Sequence, residues 1–256
     1  MPWSLSSDEL DAATAVASKG AETISVVVPA RNESLTIGSV LDAVFAFQPG
    51  GESFVDEVVV VNDHSQDDTV TVAERHGARV ETLFGPSGKG ESMALGLART
   101  TGSIVVFLDA DVTNTTPLFV PSLVQPLLQR PSIQLVKGFY ERPLLNMPTG
   151  GGRVNELSAR PILSLLFPGL GEIRQPLAGE TAGRRDTLEA IGFESAYGVE
   201  IALLIDVARK YGTESVAQVD LGIRRHRNRP IEELRPMSVE VLRAALSRYG
   251  VELPDG

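Results

Sequence analysis

Cysteine is absent from the 256 residues, which excludes a disulfide framework, a cysteine-held zinc and a thiol nucleophile together. Long apolar runs are missing too: stretches such as 103–108 are far too short to cross a bilayer, so no membrane span is expected. The opening MPWSLSSDEL has no basic region leading into an apolar segment, and a cytoplasmic enzyme without a secretory signal is the simplest reading. Basic charge is in deficit, with a formal net charge of −10. Gripping a nucleic-acid backbone needs cationic surface, so nucleic acid is not expected as a partner. What remains is ordinary for a folded chain: 43% hydrophobic and 22% charged residues, with length enough for one substantial core.

Against the acidic background, Arg224-Arg225-His226-Arg227-Asn228-Arg229 places four arginines and a histidine in six positions. A solvated turn would account for such a run in isolation. On an acidic protein a small anion accounts for it better, and phosphate suits the rigid donor fork of guanidinium.

Hydrophobic periodicity gives an alternating order of elements. Ser7-Asp8 is placed to cap a helix carrying Leu10, Ala13, Val16 and Ala17 at helical spacing. Residues 24–30 form a β-branched run of the kind found in buried parallel strands. A helix is expected over 34–47, with Leu35, Ile37, Val40, Leu41 and Val44 as its apolar stripe and Pro49-Gly50-Gly51 as its stop. Strands at 57–61, 78–83, 104–108 and 134–140 then alternate with helices at 67–76, 91–99 and 117–129. Strands joined by helices of this size mean right-handed crossovers and a mainly parallel, Rossmann-like sheet in an α/β fold. Ligands bind such sheets beyond the carboxyl ends of the strands. Polar loops follow nearly every strand here, at 31–33, 62–64, 85–90 and 109–111. Past 140 the pattern changes. Residues 143–152 read as a mobile Pro/Gly-rich loop, 153–167 as a helix broken near Pro161, and 173–183 as irregular. A helix at 198–211, a strand at 215–221 and a terminal helix at 238–249 complete the chain.

Asp109-Ala110-Asp111 closes the fourth strand of this series. Two carboxylates flanking one small residue can turn toward one hard cation, Mg²⁺ or Mn²⁺, which completes its shell with water and phosphate oxygens. A capping pair at a loop start is the plain alternative. Pro29-Ala30-Arg31-Asn32-Glu33 follows the first strand, where Glu33 can accept from a base or ribose donor; a helix cap at Asn32 or Ser34 is the plain alternative. Asp63 can accept the imide N–H of uracil; for Asp67 a cap is preferred. In Gly85-Pro86-Ser87-Gly88-Lys89-Gly90-Glu91, glycines flank a lysine at a helix amino terminus, which suits an anion without matching a Walker A loop. An exposed lysine in a plain loop competes with that reading. Gly150-Gly151-Gly152-Arg153-Val154-Asn155 pairs a flexible run with an arginine, as either an anion grip or a surface loop. His226 follows a strand among arginines, where neutral imidazole is favoured and can bind a metal.

Taken in order, these blocks resemble the GT-A-fold glycosyltransferases over about 24–230. The strings GPSGKGESM, GGGRVNELSARP, RQPLAGE, YGVEIALLID and HRNRP look like those of the actinobacterial glucosyl-3-phosphoglycerate synthases. The resemblance implies a GT-A fold in one domain, 1–256, with a nucleotide-sugar half at 22–115 and an acceptor half at 116–256. It implies retaining transfer of glucose from UDP-glucose to the 2-hydroxyl of 3-phosphoglycerate by a homodimer that uses Mg²⁺ or Mn²⁺. Carried over position by position, Pro29, Ala30, Arg31, Glu33 and Asp63 fall where relatives hold uridine, and Gly88 and Lys89 at the nucleotide phosphates. Asp111 and His226 would ligate the metal, with Asp109 and Ala110 beside the ribose. Gly152, Arg153, Val154 and Asn155 match the phosphoglycerate loop. Glu200 matches the carboxylate beside the transferred sugar, and Arg224 and Arg229 are expected to help with phosphate. The chain departs from the family at Arg31 (more often Leu), at Asn155 (usually Thr), at NDHSQDDT for D-S-G-S-x-D-x-T and at Asp-Ala-Asp for Asp-Ser-Asp. GDP-mannose as donor, a sugar-nucleotide pyrophosphorylase and a non-catalytic binding protein are the alternatives. The second of these expects a Gly-rich, Arg-containing loop after the first strand, where PARNES stands.

Overall fold

The computed structural model describes residues 2–141, 143–144, 147–150, 152–225 and 231–254. In chain order, β1 (Trp3–Leu5), α1 (Ala12–Ser18), β2 (Ile24–Ala30), α2 (Ile37–Ala46), β3 (Glu57–Asn62) and α3 (Thr69–Arg75) come first. Next are β4 (Arg79–Thr82), α4 (Lys89–Ala98), β5 (Ile104–Phe107), α5 (Phe119–Gln129) and β6 (Leu135–Glu141). A short hairpin, β7 (Pro143–Leu144) with β8 (Met147–Gly150), leads into a π-turn at Asn155–Ala159 and α6 (Arg160–Leu166). The chain then runs through β9 (Thr181–Arg184), α7 (Arg185–Ile191), α8 (Val199–Tyr211), β10 (Val216–Ile223) and α9 (Ile231–Tyr249).

Eight strands form one sheet in the order β1-β10-β6-β9-β5-β2-β3-β4. All neighbours pair parallel except β9, which runs antiparallel to both β5 and β6. Alternate residues of each central strand feed opposite cores, as the two-residue strand period requires. Val26, Val28, Val58 and Val60 pack on one face with Leu41 of α2 and Leu123 and Leu127 of α5. Val27, Val59, Val61 and Phe107 pack on the other with Met93 and Leu97 of α4 and Ile201 and Leu204 of α8. Each fully buried Val or Leu contributes roughly 1.5–3 kcal/mol, so burial on both faces holds the strand ends that carry the polar loops. No helix among the described residues is long and apolar enough to cross a membrane.

The expected amino-terminal alternation is present, with corrections. Asp11, not Ser7-Asp8, caps α1, accepting from the Ala13 and Thr14 amides. Leu35 lies outside α2 and is 98% exposed, so it is no part of the apolar stripe. Neither Asn32 nor Ser34 caps α2, whose N-cap is Thr36. The stretch expected to be a loop at 143–152 contains the β7–β8 hairpin, and the stretch expected to be irregular at 173–183 contains the start of β9. Pro161 lies at the start of α6, directly after the π-turn at Asn155–Ala159, so the break expected near Pro161 is a shift in the hydrogen-bond ladder of a helix that continues on both sides. The last helix begins at Ile231 and runs through Pro236, which from sequence alone reads as a boundary.

Candidate active site

The carboxyl ends of β2, β3 and β5 and the first residues of α4 and α8 open on one cavity of about 670 Å³. Pro29, Ala30, Arg31 and Glu33 line it from the end of β2, and Asp63 from the end of β3. Gly88 and Lys89 come from the start of α4, and Asp109, Ala110 and Asp111 from beyond β5. Gly152, Arg153, Val154 and Asn155, together with Glu200 and Arg224, line the same space. His226 and Arg229 lie outside the described residues.

Charge pairing organises the floor. Lys89 Nζ lies 2.6 Å from both Asp109 Oδ1 and Glu200 Oε1, joining the α4 start to α8. Arg224 Nη2 lies 2.7 Å from Asp109 Oδ2 and 2.9 Å from Asp111 Oδ1. Arg224 is itself buried: Nη1 donates to the Tyr140 hydroxyl at 2.6 Å and lies 3.3 Å from Glu180 Oε2, to which Tyr140 also donates. The expected solvated or phosphate-facing patch therefore divides at its first residue, Arg224 turning inward and Arg225 staying exposed. Burial works most strongly against the Lys89 charge, yet Asp109 and Glu200 outweigh it and hold the ammonium protonated well above the usual lysine value. Burial likewise penalises ionised Asp109, but Lys89 and Arg224 overcome it and keep its carboxyl well below the carboxylate range. Lys137 of β6 lies under this network, donating to the Ala178 carbonyl at 2.6 Å and Thr181 Oγ1 at 2.9 Å. Burial pulls it down to about 8, with Glu200 opposing.

Both oxygens of Asp109 are engaged by cations, so Asp109 organises the floor. Asp111 differs: Arg224 takes Oδ1, Oδ2 has no partner among the described residues, and the side chain is 24% exposed on the cavity. Among the described residues no three His, Asp or Glu side chains gather to cage an ion. One hard oxygen donor facing a polar cavity fits a divalent cation that draws its remaining ligands from water and a diphosphate.

Hydrogen bonds stitch the loops after β2 and β3 together. The Glu33 amide donates to Thr69 Oγ1 and the Ser34 amide to Asp67 Oδ2. Asp67 also accepts from the Thr69 amide, so its role is structural, and these bonds lower its carboxyl to about 2 although burial, the largest influence, opposes them. Asn155 is 2% exposed and spends its amide on the Arg174 carbonyl, the Glu156 carboxylate and the Leu177 amide. It therefore ties the 152–155 loop to the segment before β9.

Sequence reasoning missed Tyr140, Glu180 and Lys137, which build the floor from beneath, and Tyr197, Met237 and Glu240, which line the cavity. Glu180 ends RQPLAGE and Tyr197 opens YGVEIALLID, so two of these stood in the strings already singled out. Tyr140, Lys137 and the α9 residues carried no such signal.

The family model of glycosyl transferase family 2 matches residues 25–157. A glucosyl-3-phosphoglycerate synthase of Mycobacterium tuberculosis is 49% identical over 250 residues, covering 92% of this chain and 76% of its own. The crystal structure of a glucosyl-3-phosphoglycerate synthase from Mycobacterium tuberculosis in complex with phosphoglyceric acid superposes with a TM-score of 0.90 at 45% identity, over 99% of this chain and 89% of that one. Another, in complex with Mn²⁺, UDP-glucose and phosphoglyceric acid, has a TM-score of 0.86 at 46% identity, over 96% and 85%. The architecture, the cavity and these likenesses agree: the chain belongs to glycosyl transferase family 2, among the glucosyl-3-phosphoglycerate synthases.

Proposed function

We propose that the chain moves glucose from UDP-glucose to the 2-hydroxyl of D-3-phosphoglycerate, giving glucosyl-3-phosphoglycerate with retention at the anomeric carbon. One observation carries this reading. A single cavity is lined by the Asp109–Asp111 pair, the Gly88-Lys89 start of α4 and the 152–155 loop, so a donor diphosphate and an acceptor anion would lie within reach of each other. The relative that holds Mn²⁺, UDP-glucose and phosphoglyceric acid together supports it. In this reading 22–115 is the nucleotide-sugar half and 116–256 the acceptor half of one GT-A domain. Pro29, Ala30, Arg31, Glu33 and Asp63 take the uridine, Gly88 and Lys89 the diphosphate, and Ala110 the ribose side. Gly152, Arg153 and Val154 take the phosphoglycerate, on a loop that Asn155 holds in place through its bonds to Arg174, Glu156 and Leu177, with Arg229 as a further phosphate contact. The working form is a cytoplasmic homodimer. Membership in the family sets the pyrophosphorylase alternative aside.

Asp111, joined by His226 on the strength of the resemblance, would hold Mg²⁺ or Mn²⁺, which when bound neutralises charge developing on the leaving diphosphate. Lys89 adds a preset charge. Anchored between Asp109 and Glu200, it has no need to reorganise as that charge builds. Asp109, spent on Lys89 and Arg224, keeps the Asp111 loop in place. Glu200 is 7% exposed with one oxygen on Lys89. A carboxylate held by an ammonium is a weakened nucleophile, which disfavours double displacement through Glu200. Front-face attack follows, with the leaving phosphate accepting the proton of the acceptor hydroxyl and Glu200 orienting the sugar. Proton NMR of the product tests the stereochemistry: an α-linked glucose is expected, and a β-linked one would contradict retention. Intact-mass analysis during turnover tests the route. No glycosyl-enzyme adduct is expected, and an adduct found in wild type but lost in Glu200→Gln would replace front-face attack with double displacement.

A further inference from the structure

Asp63 faces the cavity with a side chain 10% exposed, and each of its oxygens is already held. His64 Nδ1 lies 2.8 Å from Oδ1, and Ser87 Oγ donates to Oδ2 at 2.8 Å. Ser87 in turn accepts from Arg31 Nη1 at 2.7 Å. Arg31, Ser87, Asp63 and His64 thus form one hydrogen-bonded chain drawn from the loops after β2, β3 and β4. His64 keeps its place at φ 56°, a left-handed conformation uncommon for a residue with a Cβ. Asn32 adopts the same φ, locked by bonds to the loop that carries His64: its amide donates to Ser65 Oγ and its Oδ1 accepts from the Gln66 amide. Backbone held in such a region persists only where its surroundings over-determine it, and here they do so around one carboxylate.

We infer that this chain of side chains reads the edge of the donor's nucleobase, and that Ser87 and His64 are positioning residues that fix Asp63 as an acceptor for a ring N–H. The inference rests on the UDP-glucose reading and deepens it. Uracil carries an N–H at ring position 3, whereas cytosine, of the same size and shape, carries a lone pair there. A carboxylate gripped by two donors cannot turn aside, so it accepts from the first base and repels the second. Arg31, set beside it by Ser87, keeps further N–H groups for a base carbonyl.

Calorimetric titration of UDP and of CDP, each with Mn²⁺, into wild type and variants tests the inference, with a melt of each variant to show that it folds. Wild type is expected to bind UDP at least about a hundredfold more tightly than CDP. Ser87→Ala and His64→Gly should each lose about tenfold in UDP affinity with little change for CDP, so that the ratio falls. Glycine relaxes the left-handed backbone, so weaker binding by His64→Gly cannot come from added strain. His64→Asn, which tolerates that conformation and retains a donor, should restore most of the loss. A UDP-to-CDP ratio unchanged in Ser87→Ala and His64→Gly would overturn the inference. Wild type binding the two nucleotides alike would overturn it alone, and wild type binding neither would overturn the UDP-glucose reading with it.

Discussion

Lys89 brings its charge into a chamber lined by carboxylates, and its 2.6 Å contacts to Asp109 and Glu200 decide what its loss would do. Breaking a largely buried pair from one side leaves the other uncompensated, at a cost of about 3 kcal/mol. Lys89→Met is expected to lose that much in a urea melt at pH 7 and at least about 100-fold in kcat, since a preset charge is removed from beside the leaving group. Unchanged turnover would rule out its electrostatic role. Lys89 and Lys137 respond to pH in opposite senses. Lys89 is raised, so its stabilisation is complete below the ordinary value of 10.5 and is lost only as pH climbs through its higher folded value. Lys137 is lowered to about 8, so it weakens the fold fully at neutral pH, and that penalty is relieved between about 8 and 10.5. Comparing urea melts of wild type and Lys137→Met at pH 7 and pH 10 isolates this group. The difference should move toward wild type by roughly 2–3 kcal/mol, since pH 10 lies about two units above the folded value and each unit is worth about 1.4 kcal/mol. A pH-independent difference would mean that Lys137 keeps its ordinary affinity for protons.

At the scale of elements, the antiparallel β9 is what makes the floor possible. It enters between β5 and β6, setting Thr181 opposite both Phe107 and Lys137, and so delivers Ala178, Gly179 and Glu180 under the Asp109 loop. A Cβ on Gly179 would collide with the Asp109 carboxylate, which Lys89 and Arg224 keep from moving aside. Gly179→Ala is therefore expected to cost about 1–3 kcal/mol in stability and to cut kcat by about 100-fold with a smaller effect on KM, because the clash falls on the loop that carries Asp111. Wild-type kinetics from a folded Gly179→Ala enzyme would show that the loop yields freely. The same element marks the limit of what the sequence discloses. β2, β3 and β5 are legible in the sequence because buried parallel strands read as β-branched runs, and the polar residues that follow them mark the edge on which the cavity opens. Thr181-Ala182-Gly183-Arg184 has no such run; its pairing is fixed by neighbours far away in the chain, which local periodicity cannot register. Arg224 reads in the sequence as part of a cationic surface for a related reason: only the fold brings Tyr140 and Glu180 to bury it.

For the whole molecule, one sheet with helices packed on both faces gathers residues from Pro29 to Val241 around a single chamber. Binding there is linked to folding, since a ligand that meets only the native state stabilises it by mass action. UDP with Mn²⁺ at about 100 times its Kd should add roughly 2.7 kcal/mol, visible as a raised melting temperature that EDTA abolishes. Asp111, with an oxygen left for a cation, is where that dependence would originate. The most direct measurement crosses radiolabelled UDP-glucose and GDP-mannose with 3-phosphoglycerate and glycerate, each with Mn²⁺ and with EDTA. Transfer is predicted from UDP-glucose to 3-phosphoglycerate, lost in EDTA and recovered on adding Mn²⁺ back. Transfer that persists in EDTA, or that proceeds only from GDP-mannose or only to glycerate, would contradict it.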